Sequence, residues 1–303
     1  MKNKILITGT VAFDDIETPF GNSGKVIGGA GTYIALASSL FTKNLAIVSI
    51  IGEDFPEKEI EFFNKRGIDT TMIEKVNGGK TFYWKGKYHE NMISRDTLST
   101  ELNVLERFNP IVNSEFLSSD IILLGNLHPL VQNTVINQST NPNRFIILDT
   151  MNFWMDNALN ELKDVIEKVD LIIINDEEAQ QLTNESNIFN AGNKILKMGP
   201  KKVIIKKGEH GSIYLDSFQK YILPAYPVDS LVDPTGAGDS YAGGIAGFLS
   251  TKQEINFMQI KEAMLFGTLT ASFCVENFGV EGLRNLDYEK LISRLKIFKS
   301  YIT

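Results

Sequence analysis

Apolar residues along the chain come in short unbroken runs at 5–8, 45–51, 120–124, 145–148, 171–174 and 203–206, rich in Ile, Leu and Val. Runs without polar alternation suit strands covered on both faces, as in a parallel sheet. Between them apolar positions recur at helical spacing, most clearly over 30–41, 57–66, 157–168 and 187–198. Strand alternating with helix predicts an α/β layer fold around a mostly parallel sheet. Two segments leave that rhythm. Residues 15–26 contain Pro19, Gly21 and Gly24 and predict a small hairpin. Residues 81–88, TFYWKGKY, set aromatics on both sides of Lys85-Gly86-Lys87 and predict strand, basic turn and strand. Neither segment has a helix beside it, so together they predict a small β lid projecting from the main layers. From Asp239 onward the pattern is largely helical, and no repeat or Pro/Ser-rich linker divides the chain.

The length of 303 residues fits either two domains or one large α/β unit with an insertion. With 43% hydrophobic and 22% charged residues, disorder is excluded as the default state. Thirty Lys+Arg against 37 Asp+Glu leave a net charge of -7, which speaks against nucleic acid or an anionic membrane as partner. Cys274 is the single cysteine, so no internal disulfide framework exists and a reducing compartment is expected. The basic opening Met1-Lys2-Asn3-Lys4 is followed only by Ile5, Leu6 and Ile7 before Thr8-Gly9, too short for a secretory signal. No apolar run approaches the roughly 18 residues of a membrane span. A cytoplasmic protein is expected.

Three glycine-rich places invite a ligand. Gly79-Lys80-Thr81 has the tail of a P-loop, but Glu74 stands where that loop needs its first glycine. Gly29-Ala30-Gly31 opens a dinucleotide-like run, yet Ile34 replaces the third glycine and no buried strand precedes it, so nicotinamide chemistry is unsupported. The third place is Val232-Asp233-Pro234-Thr235-Gly236-Ala237-Gly238-Asp239-Ser240. Pro234 ends whatever precedes it. Two glycines then allow a tight turn with converging amides, and the small apolar stretch 240–249 reads as a helix entering a core. A helix N-terminus with free amides attracts anions. Asp239 would set a carboxylate beside that anion, able to take a proton from an alcohol while the amides hold a transferring phosphoryl group. By themselves the same residues also suit a plain turn and a first-turn acid. His89, His128 and His210 are scattered without ligand spacing, so no zinc site is expected.

The stretch DPTGAGDSYAGG resembles the second signature of the PfkB (ribokinase-like) family of carbohydrate and nucleoside kinases. Gly28-Gly29-Ala30-Gly31 is similar to the family's di-glycine motif, and Asn175-Asp176-Glu177-Glu178 to its N-x-x-E motif. Lys207-Gly208-Glu209-His210-Gly211 is similar to its nucleotide-proximal turn, and all four stand in the family's order across essentially the whole chain. The resemblance implies one α/β domain over 1–303, a ribokinase-like three-layer sandwich with a mostly parallel central sheet and a small β lid from 15–27 and 79–95. It implies ATP-dependent transfer of the γ-phosphoryl group to a primary alcohol of a small sugar-like substrate. A nucleoside acceptor is the alternative within the same mechanism.

Residue by residue, the resemblance makes Asp239 the general base and the amides of Gly236, Ala237 and Gly238 the anion hole. Asn175 and Glu178 would orient Mg²⁺ through water, and the triphosphate, although their own pattern equally suits a helix cap and first-turn acid. Lys206, Lys207, Gly208 and Gly211 would line the ATP site, with Thr268 near the adenine. A K⁺ site would draw on Asp233, Thr235, Cys274, Asn277 and Gly279, mainly through backbone oxygens. Asp14 would bind acceptor hydroxyls, with Gly28 and Gly29 beside it. Ala12 and Tyr33 stand where the family often has Asn, and Asn126 and His128 are the candidates to replace that polarity. Phe82, Tyr83 and Trp84 could stack on a base or form the lid's own core. The partner is a small polyol, with hexose, pentose, nucleoside and cyclitol all open and a homodimer through the lid allowed. A sensor that binds nucleotide or sugar without turnover is the rival from another class; the intact Asp239, Asn175 and Glu178 speak against it.

Overall fold

The unbroken apolar runs fold side by side into one sheet. The computed structural model describes residues 3–302; Met1 and Lys2 of the basic opening, and Thr303, lie outside the described residues. In chain order the strands are β1 (Ile5–Thr8), β2 (Ala12–Thr18), β3 (Gly21–Gly28), β4 (Leu45–Gly52), β5 (Ile68–Val76), β6 (Tyr83–Tyr88) and β7 (Arg95–Glu101). They continue with β8 (Ile121–Leu124), β9 (Phe145–Asp149), β10 (Leu171–Asn175), β11 (Lys202–Lys206), β12 (Ser212–Leu215) and β13 (Lys220–Leu223). The main sheet has nine strands in the order β13-β12-β11-β10-β9-β8-β1-β4-β5. From β11 to β5 every pairing is parallel, and β12 and β13 close one edge as an antiparallel pair.

Helices cover both faces, which is why the strands carry no polar alternation. Ile5 and Ile7 of β1 face a core shared with the helices Ala30–Ser38, Ala237–Leu249 and Phe257–Cys274. Leu6 points the other way, into a core shared with Pro129–Gln138, Leu159–Ile166 and Ile188–Leu196. The result is a three-layer sandwich. Two helices differ from the pattern: the first ends at Ser38 rather than 41, and the stretch expected at 157–168 splits into Asn152–Asn157 and Leu159–Ile166. Ala158 between them has φ -151°, outside helical space.

The small sheet runs β3-β2-β6-β7. The β2–β3 hairpin is the one expected. The reading of TFYWKGKY as strand, turn and strand is corrected: Lys85-Gly86-Lys87 lies inside β6, which pairs with β7 instead. The glycine serves the neighbouring indole, because a Cβ on Gly86 would overlap the Trp84 ring. The real turn follows at 89–94, where Asn91 Oδ1 accepts from the amides of Ile93 and Ser94. Strand β7, RDTLSTE, is mostly exposed and polar, so it had no apolar pattern to announce it.

Candidate active site

The parallel strands end along one edge, and there the chain gathers its charged groups, as expected of ligand sites in open α/β sheets. Asp149 closes β9, Asn175 closes β10 and Lys206 closes β11. Lys206 Nζ lies 2.8 Å from Asp149 Oδ1. Burial pulls the ammonium's pKa down, but Asp149 and Glu178 more than offset this, so it sits above its ordinary value and stays charged. The same Nζ stands 2.9 Å from where a Cβ of Gly238 would be, so the space over that glycine is open to a cation.

Gly238 lies in the first turn of the helix Ala237–Leu249. Its N-cap, Gly236, has φ 77°, and a Cβ there would run into the ring of Tyr33. Glycine is therefore demanded twice, by backbone and by space. Closing this turn consumes one of the three amides expected in the anion hole: Ala237 N–H donates to Pro234 O at 3.2 Å. The amides of Gly236, Gly238 and Asp239 have no acceptor among the described residues, so Asp239 supplies the amide that Ala237 cannot. Free amides at a helix start beside a lysine form an anion cradle. The Asp239 carboxyl is half-buried in that first turn. Burial, with the charge of Asp149 behind it, pushes its pKa up to about 7 against the pull of Lys206.

Asn175 and Glu178 form a reciprocal capping box: Asn175 Oδ1 accepts from the Glu178 amide at 2.7 Å and Glu178 Oε2 from the Asn175 amide at 2.9 Å. The Glu178 carboxyl is buried, which pushes its pKa up to about 7 although Lys206 pulls it down. The turn Lys207–Gly211 is closed by Lys207 N–H to Gly211 O at 2.8 Å, with positive φ at Gly208 and Gly211. Thr268 is buried on the helix Phe257–Cys274.

Asp14, on β2, is 5% exposed. Burial lifts its carboxyl to about 7, opposed by the Gly29 amide and helped by Asp233. A Cβ on Gly28 would overlap that carboxylate, and Gly29 takes φ 91°. The five residues expected around a K⁺ ion do meet. Asp233 is fully buried and accepts from the Thr235 amide at 2.8 Å and the Gly279 amide at 3.0 Å. Cys274 Sγ donates to Thr235 O, and Asn277 N–H reaches Cys274 O. Asn126 and His128 are engaged elsewhere: Trp154 Nε1 donates to Asn126 Oδ1 at 2.7 Å, and His128 caps the helix Pro129–Gln138 while packing edge-on against Trp154. Among the described residues no cluster of three or more His, Cys, Asp or Glu could hold a metal, and no helix is long and apolar enough to cross a membrane.

Three residues here were not singled out in the sequence. Asp149 carried a usable signal, an acid ending an apolar strand. Tyr88, on β6, accepts a hydrogen bond from Thr235 Oγ1 at 3.2 Å and ties the small sheet to the cradle loop. Arg95, opposite Tyr88 on β7, holds its guanidinium 5.8 Å from the Trp84 ring centre and has neither ion pair nor hydrogen bond among the described residues.

The raised carboxyls carry a stability prediction. The ordinary values of Asp14 and Glu178 are 3.8 and 4.5, and both rise to about 7 in the fold. The folded chain thus binds these protons more tightly than the unfolded one, and the stabilisation is complete below the ordinary values and lost as pH rises through the folded ones. The urea midpoint of the ligand-free protein is expected to fall between about pH 4 and about pH 8, and to fall less in Glu178→Gln. Equal slopes for the two proteins would count against it.

Known proteins bear on this geometry. The model of the pfkB family of carbohydrate kinases matches residues 15–284. A cytidine kinase of Thermococcus kodakarensis is 25% identical over 252 residues, covering 80% of this chain and 88% of its own. A ribokinase of Staphylococcus aureus is 25% identical over 307 residues, covering 93% and 96%. Among solved structures, the nucleoside kinase of Methanocaldococcus jannaschii superposes with a TM-score of 0.78 at 20% identity, over 98% of this chain and 99% of that one. A putative ribokinase II of E. coli in complex with ATP and Mg²⁺ gives 0.81 at 18% identity, over 97% and 99%. These likenesses show the ribokinase-like fold.

Proposed function

The chain belongs to the pfkB family of carbohydrate kinases, a sugar or nucleoside kinase by that membership, and from this premise we propose that it moves the γ-phosphoryl group of ATP to the primary alcohol of a nucleoside. The observation that carries the transfer is the first turn of the helix Ala237–Leu249, where a carboxyl at about 7 sits beside three free amides and under a charged lysine. The open space over Gly238, with Lys206 next to it, fits a phosphate tail. Glu178 fits Mg²⁺, which binds through one or two carboxylates plus substrate phosphates. Asp233 and the carbonyls around Thr235 and Asn277 offer oxygen ligands suited to K⁺, and burial keeps the Cys274 thiol protonated.

The residues then divide the work. Asp14 holds the acceptor's ring hydroxyls and Asp239 takes the proton from its primary alcohol. As that O–H bond breaks, the oxygen joins the γ-phosphorus and ADP leaves. The amides of Gly236, Gly238 and Asp239, with Lys206, hold the charge on the moving group. The small sheet acts as a lid whose closed position is fixed by Tyr88 on Thr235, and closure excludes water. Arg95 arrives with it as an unpaired positive charge.

The lid's inner face favours a nucleoside. Asp14 pairs with Trp84 in register, so both side chains share that face. Beside them Ile16, Tyr88 and Met92 cluster with Val26, Leu231 and Phe278. An apolar ceiling above a hydroxyl-binding acid suits ribose carrying a flat base. The sugar reading keeps one observation of its own: Arg95, not open space, stands over the Trp84 ring.

The test is ADP release in Mg²⁺/ATP, with and without K⁺, over nucleosides, pentoses, hexoses and inositols, with Asp239→Asn as blank. Turnover of nucleosides that disappears in the variant is expected. Turnover of sugars alone would replace the acceptor class. Nucleotide binding without turnover on any compound would overturn the reading in favour of a sensor.

A further inference from the structure

Tyr33 is fully buried, and its hydroxyl has no hydrogen-bond partner among the described residues. It stands one turn into the helix Ala30–Ser38, and its ring presses on Gly236, with Cζ, the carbon bearing the hydroxyl, 2.5 Å from where a Cβ of that glycine would be. The hydroxyl therefore sits at the start of the cradle helix, between the turn that holds Asp14 and the turn that holds Asp239. Burial first, then the charges of Asp14, Cys274, Asp233 and Asp239, keep its proton in place, so it is a donor at any working pH.

Yet none of these neighbours accepts from it. The Asp14 carboxylate takes the Gly29 amide, and Asp233 spends its two oxygens on the amides of Thr235 and Gly279. Leaving a buried donor unpaired costs about 1–3 kcal/mol, and native proteins seldom keep one without a use. The missing acceptor has to come from outside the chain. On the kinase reading above, we propose that Tyr33 determines acceptor specificity: its hydroxyl donates to a ring hydroxyl oxygen of the acceptor seated on Asp14. A site built to bond a hydroxyl discriminates strongly against analogues that lack it.

Tyr33→Phe separates this role from a structural one. Wild type and variant are compared on cytidine, 2′-deoxycytidine, 3′-deoxycytidine and ribose, together with the Tm of the ligand-free proteins. The variant is expected to raise KM for the acceptor about 10-fold while KM for ATP holds. Its Tm should not fall, because the unpaired hydroxyl is removed. The deoxy analogue lacking the bonded hydroxyl should lose the same factor in wild type, and the two losses should not add. A drop in Tm with acceptor KM unchanged would overturn the inference and leave the kinase intact. Additive losses would also overturn it. If wild type turns over none of the probes, the kinase reading fails and this inference falls with it.

Discussion

Asp239→Asn is expected to lower kcat by at least ~100-fold, the range that general-base action supplies. The change is nearly isosteric, so it tests proton transfer rather than packing. The amide of residue 239, one of the three free N–H groups of the cradle, is kept. Nucleotide binding should therefore survive the substitution. Stability should hold or rise, since the carboxyl is raised by burial and by the neighbouring charge of Asp149. The pH dependence gives an independent reading. A base must be unprotonated to act, so kcat/KM of wild type should climb as pH rises through about 7 and level off above it. That climb should vanish in the variant's residual rate. Turnover by Asp239→Asn near the wild-type level would remove Asp239 from the mechanism, whatever the pH profile showed.

How much of this was legible in the sequence differs from element to element, for physical reasons. The strands β1, β4, β8, β9, β10 and β11 are buried on both faces, and that burial writes itself as uninterrupted Ile, Leu and Val. The cradle was legible because a tight turn at a helix start requires glycine, and Gly236 indeed takes φ 77°. Which amides stay free was not, because Ala237's bond to Pro234 depends on how the turn closes. Strand β7 escaped because an exposed edge strand pairs through its backbone and leaves its side chains to solvent. Gly86 misled because glycine marks a turn in most sequences, whereas here it makes room for an indole. Tyr33 looked in sequence only like a lost asparagine. Its unpaired hydroxyl becomes visible once the helix and Gly236 are in place.

Gly28→Ala is expected to cut kcat/KM for the acceptor by roughly 100-fold, about 2.7 kcal/mol of transition-state binding, with KM for ATP little changed. Gly28 ends β3 and, unlike Gly29, does not have a positive φ, so alanine meets no backbone strain there. The obstacle is spatial alone: the new Cβ would overlap the Asp14 carboxylate. That carboxylate is buried and held by the Gly29 amide, so it cannot swing into solvent without losing its bond. It must move off the position from which it would take two ring hydroxyls, and misplacement of this kind is costly because each hydroxyl bond depends on direction. The substitution thus moves Asp14 without changing its charge. Asp14→Ala removes both, and if the two variants act through the same carboxylate their losses should coincide and the double variant should lose no more than either. Steady-state kinetics on the best acceptor of the panel, for the four proteins, decides it. Acceptor kinetics unaffected by Gly28→Ala would mean that the substrate does not rest on Asp14, and the hydroxyl-binding role would have to pass to another residue.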